Sequence, residues 1–280
     1  MVIDNDSGDG SLDAAQRRFA EFTYVRLPRN AGFAEANNLA VSMLGEREWV
    51  FLVNPDAVLE RDCLEQLQRA AAANPGVSVF TPLVLRTGEP RTIACAGDDY
   101  RRGGIAVHRR AGQVDAPRAA ALEQVFSGSG AALMLRRQVF VDAGGFDTDY
   151  FCYYEDVDLG FRLQLLGQRC LFVPGAVLRH VGGGTTGGSG NDFSLYYCHR
   201  NCIWTYVKNM PDPLFLRYLP LHLLALVKNI AAAALAGRLW LILQATWGAL
   251  RLLPKKIRER KKIQSLKRVD AAYIDSLFLR

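Results

Sequence analysis

Several signatures of common protein classes are missing from this 280-residue sequence. No two of its six cysteines form a C-x-x-C pair. Cys198 and Cys202, four residues apart, find no second Cys/His pair at the spacing of a zinc site. No secretory signal pattern opens the sequence. We therefore expect reduced, mostly buried thiols in a cytosolic protein.

A charge excess is also missing from most of the chain. The net charge is +6, from 34 basic and 28 acidic residues, but residues 255–280 alone hold nine Lys and Arg against three acidic residues. Residues 1–254 therefore contain 25 residues of each sign. A neutral body of this kind argues against a general nucleic-acid-binding surface, so no nucleic-acid partner is expected.

Acidic residues are absent from the apolar segment 214–253. Its longest uncharged stretch, 239–250, has 12 residues, which is short of the ~20 needed to span a bilayer. The segment predicts one or two amphipathic helices lying in a membrane interface, with the basic cluster 255–268 attracting anionic lipid. The competing interpretation is a helical pair packed on the core with a solvated basic end. Through residues 214–268 we expect a peripheral protein at the inner, cytoplasmic face of the cell membrane.

Strand and helix patterns alternate through residues 1–85, and this predicts an α/β fold with a mostly parallel sheet flanked by helices. In such sheets ligands bind beyond the carboxyl ends of the strands. Residues 86–120 form a long excursion of the kind that often binds ligands. The predicted strands are 2–4, 23–27, 49–53, 77–85, 124–135, 170–173 and 176–181; the predicted helices are 11–22, 32–44, 59–73, 137–143, the one after Tyr154, and 193–209.

Three carboxylates follow an aromatic run at residues 150–158. Glu155, Asp156 and Asp158 come directly after four aromatic side chains and open an apolar-periodic helix. Carboxylates placed among aromatic rings and helix-terminal amides can be tuned to act as a general base. Helix capping explains the same pattern without any chemistry.

Two polar, glycine-containing segments follow predicted strands. Residues 4–11 are acidic, so they can accept hydrogen bonds from a base or a ribose but would repel phosphates; turn formation is the alternative. Residues 30–38 place Gly32 at a strand-to-helix entry, where backbone amides suit a diphosphate. This second segment contains no G-x-G-x-x-G, which weakens the case for a nicotinamide-dependent enzyme.

Asn54 and Asp56 follow the apolar strand 49–53 and point the same way. Two oxygen-bearing side chains at this spacing can hold Mg²⁺ or Mn²⁺ against phosphate oxygens, although a β-turn also explains Asn-Pro-Asp. His180 ends a later strand, before a loop, 182–190, with six glycines in nine positions. Beside an ion held by Asp56 this histidine would be a further ligand, whereas a lone histidine is usually only hydrogen-bonded.

Together and in this order, the segments resemble the family 2 glycosyltransferases with the GT-A fold, especially their rhamnosyltransferase-like branch. The resemblance covers residues 1 to about 210, which gives a predicted GT-A domain over 1–210 and a C-terminal helical, basic segment over 211–280. Members of the family begin with a further strand and helix, so the chain is expected to lack about 30 residues of a βα unit at its start. The matching pieces are 2–7, 30–34 with Asn37-Asn38, 54–56, 128–131, 144–147, 155–158 and His180.

The resemblance implies transfer of a sugar, with inversion, from a nucleotide diphosphate to a hydroxyl of a cell-envelope or lipid-linked glycan acceptor; rhamnose is the first candidate sugar. It implies that Asp156 is the base with Glu155 beside it. It also implies that Asp56 binds Mg²⁺ or Mn²⁺ with His180 as an additional ligand, and that loop 182–190 is a lid. The residues expected to bind the nucleotide sugar are Asp4, Asn5, Ser7, Asn30, Gly32, Asn37, Asn54 and Gly128.

Two rival functions stay open. A sugar nucleotidyltransferase would favour a basic, glycine-rich first loop, and the acidic turn at 4–9 argues against it. A non-catalytic, membrane-associated nucleotide-sugar-binding protein is the rival from another class.

The sequence departs from the family pattern at Asn54, where many family members carry aspartate. This asparagine lowers the negative charge at the expected metal site by one.

Overall fold

The amino-terminal part of the chain alternates strands and helices, as its pattern predicts. The computed structural model describes residues 1–88, 90–115, 121–181 and 190–279. Leu59 ends a short strand instead of starting the next helix, which begins at Cys63. The elements are β1 Val2–Asp4, α1 Ser11–Arg18, β2 Tyr24–Arg26, α2 Gly32–Met43, β3 Trp49–Val53, β4 Ala57–Leu59, α3 Cys63–Ala73 and β5 Val79–Arg86.

The middle of the chain is more broken than the sequence predicts. The excursion after β5 contains three short strands, β6 Ile93–Cys95, β7 Asp98–Arg101 and β8 Ala106–His108. The predicted strand 124–135 is two strands, β9 Glu123–Val125 and β10 Ala132–Arg136, because the small residues 127–130 turn the chain between them. A short helix, α4 Arg137–Asp142, and a 3₁₀ turn, Thr148–Tyr150, follow.

The carboxylate-rich helix is α5 Glu155–Leu165. After it, the two predicted strands are one, β11 Cys170–His180, with an irregularity in its pairing between Val173 and Val177. The predicted glycine loop lies outside the described residues except for Gly190.

The central sheet is mixed, which corrects the expectation of a mostly parallel one. Its main path is β3-β10-β5-β11-β4, with β6 beside β5 and β9 beside β11. Only the β5–β11 neighbours run parallel among these pairs, because β10 returns between β3 and β5 in the antiparallel direction. The strands β1 and β2 form a separate parallel pair. The α/β class with helices on the sheet faces is confirmed.

Helices cover the sheet on both faces. On one face Leu159 and Leu163 of α5 and Val41 of α2 pack with buried strand residues such as Leu133 and Leu135. On the other face Cys63 and Leu67 of α3 pack against Phe80 and Met134. Burying each of these large apolar side chains contributes roughly 1.5–3 kcal/mol, so the two layers fix the sheet whose edge carries the polar segments.

The carboxyl-terminal part is helical. It comprises α6 Asp192–Asn209, α7 Asp212–Leu235, α8 Leu239–Leu266 and α9 Ala271–Ser276, and ends in β12 Phe278–Leu279, which pairs with β7. Leu214 and Tyr218 of α7 join a cluster with Tyr100 and Phe161. The division at residue 210 therefore stays a prediction, because α7 shares a core with the preceding part of the chain.

The helix α7 is long and apolar enough, by length and composition alone, to cross a membrane. Little of that apolar stretch, 17%, is buried within the protein. It continues through Pro220 as one helix.

Candidate active site

Asp56 and His180 meet at one edge of the central sheet. The antiparallel pairing of β11 with β4 sets His180 opposite Ala57, and Nε2 of His180 lies 2.8 Å from Oδ1 of Asp56. The side-chain nitrogen of Asn54 lies 3.4 Å from the same ring nitrogen. The side chains of Asp56 and His180 are 26% and 18% exposed, so a ligand can reach both of them. The sequence expectation that these two residues share a site is consistent with this contact.

Asp156 lies in the first turn of α5 with both carboxylate oxygens oriented by backbone amides. Oδ2 accepts a hydrogen bond from the amide of Gly130 at 2.6 Å, and Oδ1 accepts one from the amide of Val157 at 2.8 Å. Burial, assisted by the charge of Asp98, raises the pKa of Asp156 to about 6, while the two amides and His108 act to lower it. A carboxylate with a pKa near neutrality is suited to accept a proton from a hydroxyl.

Glu155 is buried, with 4% of its surface exposed. Burial, together with the neighbouring charge of Asp156, raises its pKa well above the ordinary value. Within the described part of the chain its Oε2 atom has no hydrogen-bond partner. We therefore expect Glu155 to be neutral when Asp156 is ionised, since two adjacent buried carboxylates do not readily carry charge together.

Short backbone contacts connect the Asp56–His180 pair to Asp156. The amide of Asn54 donates to the carbonyl of Ala131 at 3.0 Å, and the preceding residue, Gly130, bonds Asp156. A methyl group on Gly130 would lie 3.1 Å from the Asp156 carboxylate and 3.4 Å from the ring of Phe33. These contacts link segments that are far apart in sequence, and we call the region around them the cleft.

Asn5, Asn30 and Gly32 form a tight polar corner beyond the end of β1. Asn5 donates to the side chain of Asn30 at 3.1 Å and to the carbonyl of Gly32 at 3.2 Å, and it accepts from the amide of Ala31 at 2.8 Å. The side chain of Asn30 accepts from the amide of Gly32 at 2.9 Å. The structure thus brings together three of the residues expected to bind a nucleotide sugar.

The first amides of α2 are satisfied within the protein. The amides of Phe33 and Ala34 donate to the carbonyl of Phe151 at 2.7 and 3.4 Å. Gly32 has φ +78°, and a Cβ there would lie 2.6 Å from the same carbonyl. The glycine therefore permits the approach of the segment that leads to Asp156, and the expected amides for a diphosphate are already used.

Asp4, Ser7, Asn37 and Gly128 occupy more local positions. Asp4 ends β1, is 6% exposed and accepts a hydrogen bond from the amide of Ser7 at 3.2 Å. The side chain of Asn37 donates to the carbonyl of Phe33 in its own helix. A methyl group on Gly128 would collide with Leu133 at 2.4 Å, so this glycine packs in the interior. Their proposed contacts with a nucleotide sugar stay predictions.

The segment before Asp156 has an unusual backbone. Phe151, Tyr153 and Tyr154 all have positive φ, between 64° and 69°, which is strained for residues with large side chains. The buried side chain of Asn201 on α6 donates to the carbonyls of Tyr150, Cys152 and Tyr153, at 2.7–3.0 Å. This one amide group holds the turn that delivers the carboxylates to the cleft.

A buried ionic cluster attaches the same segment to α8. The amino group of Lys256, which is 0% exposed, lies 2.7 Å from carboxylate oxygens of Asp147 and Asp149 and 2.9 Å from Glu259. These three carboxylates are close enough together to hold a metal ion, but the lysine nitrogen already bonds all three. The charges of Lys208 and Lys256 outweigh the effect of burial and hold the pKa of Asp147 well below its usual range.

Sequence reasoning missed Asn201, Lys256 and the pair formed by Asp98 and His108. Nδ1 of His108 lies 2.6 Å from Oδ1 of Asp98, whose side chain is 2% exposed. The sequence around Asp98 does not predict this pair, because the residues that Asp98 pairs with in the sheet, His108 and Ser127, are 10 and 29 positions away. Lys256 was missed because it belongs to a run of cations, a pattern that predicts solvent-exposed side chains. Asn201 was missed because it lies in an amphipathic helix.

The chain is similar to several known proteins. Residues 49–250 match the family model described as glycosyl transferase family group 2. The chain is 32% identical over 209 residues to an N-acetylglucosaminyl-diphospho-decaprenol L-rhamnosyltransferase of Mycobacterium tuberculosis, covering 67% of each chain. It is 28% identical over 163 residues to the rhamnosyltransferase WbbL of Escherichia coli, covering 51% of this chain and 58% of that one.

Two solved structures share the fold. The mannosyltransferase PcManGT from Pyrobaculum calidifontis, in complex with GDP-Man and Mn²⁺, has a TM-score of 0.52 at 20% identity, covering 99% of this chain and 75% of that one. GalNAc-T7 with UDP, GalNAc and Mn²⁺ has a TM-score of 0.57 at 13% identity, covering 74% of this chain and 43% of that one. The predicted glycosyltransferase fold and the predicted family are confirmed: the chain belongs to glycosyl transferase family group 2.

Proposed function

We propose that this glycosyltransferase moves a sugar, with rhamnose the first candidate, from a nucleotide diphosphate to a hydroxyl of a lipid-linked glycan acceptor. Both similar curated enzymes are named rhamnosyltransferases, and the mycobacterial one is named for a lipid diphosphate acceptor. The observation that supports the proposal is the set of backbone contacts, through Gly130 and Ala131, that links Asp156 to the Asp56–His180 pair.

Asp156 is the proposed base. Its two carboxylate oxygens are held by backbone amides, and its pKa of about 6 keeps it ionised at neutral pH. A proton taken by this carboxylate as the hydroxyl attacks frees the acceptor oxygen to form the new glycosidic bond. The neutral neighbour, Glu155, adds no competing negative charge.

Asp56 and His180 are the proposed ligands of a divalent ion. Nε2 of His180 and Oδ1 of Asp56, now 2.8 Å apart in a hydrogen bond with each other, would hold such an ion once that bond is given up. The ion would also bind phosphate oxygens of the donor. Such an ion offsets the negative charge of a leaving diphosphate.

The test is transfer from a panel of nucleotide sugars, deoxythymidine-diphosphate rhamnose among them, with Asp156→Asn compared to the wild type. We expect transfer to fall at least a thousandfold, while calorimetric binding of the donor with Mn²⁺ changes less than about threefold. Asp142→Asn, on the exposed end of α4, is the matched control. Retained transfer in Asp156→Asn would remove this carboxylate from the mechanism. Release of pyrophosphate from a nucleoside triphosphate and a sugar phosphate would favour a nucleotidyltransferase instead.

We also propose that α7 and α8 rest on the anionic cytoplasmic face of the cell membrane. In α8, Trp240, Leu243, Trp247 and Leu250 lie on one helical stripe and are 42–72% exposed, whereas Ile242, Ala245 and Ala249 on the other side are buried. Tryptophan rings at 72% and 68% exposure are unusual in water and common at membrane interfaces. The helix α7 also exposes leucines, including Leu216, Leu223 and Leu224.

The exposed positive charges of α8 also support binding to an anionic membrane surface. Several cations of α8 and the turn after it are exposed and form no ion pair with any described residue: Arg251, Arg258, Lys261, Lys262, Lys267 and Arg268. Each can contribute roughly 1 kcal/mol near an anionic surface. Flotation with vesicles containing phosphatidylglycerol should recover the wild type, and Trp240→Ala with Trp247→Ala should lower the bound fraction, unlike Phe22→Ala in the loop after α1. Equal recovery of all three proteins would contradict the proposal.

A further inference from the structure

Most cations of the excursion between β5 and β9 have carboxylate partners. Arg109 and Arg110 pair with Glu123 at 2.7 Å, and Arg102 pairs with Asp275 at 3.3 Å. Two cations differ. Arg86, the last residue of β5, is exposed, and its guanidinium forms no ion pair or hydrogen bond within the described ranges. His108 binds Asp98 through Nδ1 only, and its side chain is 60% exposed.

Each of these two residues is connected to one part of the proposed site. Arg86 is the register partner of His180 across the β5–β11 pair, so it stands beside the proposed metal ligands. His108 is the register partner of Asp98 in the β7–β8 hairpin. The amide of Asp98 bonds the carbonyl of Ser127 at 2.8 Å, in the small-residue turn that reaches Asp156 through Gly130.

His108 is a cation at neutral pH. Its hydrogen bond to Asp98, together with the charge of that carboxylate, raises its pKa to about 9, while the charge of Arg86 opposes the increase. The charge of Asp156 also contributes to the increase. Because Asp98 is buried below it, His108 is fixed with its Nε2 edge free of partners among the described residues.

We propose that His108 and Arg86 bind a diphosphate group of the acceptor substrate. This rests on the proposed function, in which the acceptor hydroxyl meets Asp156. A glycosyl diphosphate carries its reacting hydroxyl and its phosphate on the same sugar ring, so an acceptor positioned at Asp156 presents its diphosphate one ring away. Imidazolium and guanidinium groups donate charge-assisted hydrogen bonds to phosphate oxygens. The donor diphosphate has its own proposed site at Asp56 and His180.

The test compares two acceptors with a common sugar: N-acetylglucosamine linked by a diphosphate to a short prenyl chain, and the neutral alkyl glycoside of the same sugar. For Arg86→Gln and for His108→Gln we expect the KM for the diphosphate acceptor to rise roughly tenfold to a hundredfold, the loss typical of a hydrogen bond to a charged group. The KM for the donor and the rates with the neutral glycoside should change less than about threefold. Arg86→Lys should recover part of the affinity. Arg101→Gln, at the other end of β7 beside Leu279, is the matched control.

Two results would overturn the proposal. The first is an equal increase in KM for the diphosphate acceptor and for the neutral glycoside. The second is a selective rise in the KM for the donor, which would assign Arg86 and His108 to the donor diphosphate. Arg86→Gln keeps the assay interpretable if His108→Gln unfolds, because no described residue depends on that guanidinium.

A binding experiment separates this proposal from the proposed function. Calorimetry with geranyl diphosphate, with geraniol as the neutral comparison, needs no turnover. Weaker binding of geranyl diphosphate to Arg86→Gln than to the wild type supports the subsite even if no acceptor tested is glycosylated. Equal affinity of the two proteins contradicts it.

Discussion

Replacing Lys256 by methionine should weaken the whole fold and the active site together. The amino group of this lysine is fully buried and bonds Asp147, Asp149 and Glu259, whose side chains are 15%, 19% and 30% exposed. Methionine keeps the length of the side chain but removes the charge. Breaking a buried ion pair costs about 3–5 kcal/mol; because the three carboxylates keep some contact with solvent and Lys208 also bonds Asp147, we expect about 3 kcal/mol.

The neighbouring residue supplies the control. Lys255 bonds Asp149 at 2.6 Å and Glu259 at 3.9 Å, yet its side chain is 46% exposed. Lys255→Met should therefore lower the free energy of unfolding by at most about 1 kcal/mol. Urea unfolding followed by tryptophan fluorescence measures both values. If the two variants lost the same stability, the distinction between a buried cluster and a surface pair would be wrong.

Three further predictions concern single groups. Burial lowers the pKa of His199, which lies near His222, to about 4, so the unfolded chain binds a proton more tightly than the folded one. The free energy of unfolding should therefore fall by about 2 kcal/mol between pH 7 and pH 5. In urea titrations His199→Gln should make this dependence on pH weaker. Asn201→Ala should reduce kcat at least tenfold and change the donor KM less than threefold, because the turn before Asp156 loses the three hydrogen bonds to its carbonyls. Partial recovery of kcat by Asn201→Gln, and a pH profile shifted from that of the wild type, would show that Asn201 positions the base. Neither result is expected from a simple loss of folded protein. Since Asp156 must be ionised to act as a base, kcat/KM should rise with pH through about 6 and level off above it, and a flat profile from pH 5 to pH 8 would exclude that role.

The sequence was most informative where chemistry and local pattern coincide. Strand ends at Asp4 and Val53, the helix entry at Gly32 and the carboxylates of α5 carry local signals, and the structure places each near its expected element boundary. The order of the strands carried no such signal. β10 enters between β3 and β5 in the opposite direction because of contacts between residues about 55 to 85 positions apart, and alternation along the chain does not encode this.

Charge patterning gave a partly wrong expectation for the carboxyl-terminal basic run. As a block it indicated solvated or lipid-facing cations, and six exposed cations keep that role open. Lys256 differs because the helical period turns it away from its neighbours and into the protein, beneath Tyr150 and Trp204. Lys255 and Arg260 are also used in ion pairs, with Asp149 and Asp212. A count of charges cannot tell which faces of a helix they occupy.

The contacts of α8 connect the proposed membrane surface to the proposed base. One side of this helix carries Trp240 and Trp247 outward, and its following turns hold Asp147 and Asp149 through Lys256. Those two aspartates begin the short segment that ends at Asp156, whose strained backbone has little freedom of its own. An acceptor carried in a lipid surface would reach the cleft from the side where α8 lies. The same helix that positions the enzyme on a bilayer would then also hold its catalytic segment in place, so that the position of the base and the plane of the acceptor are set by one rigid element.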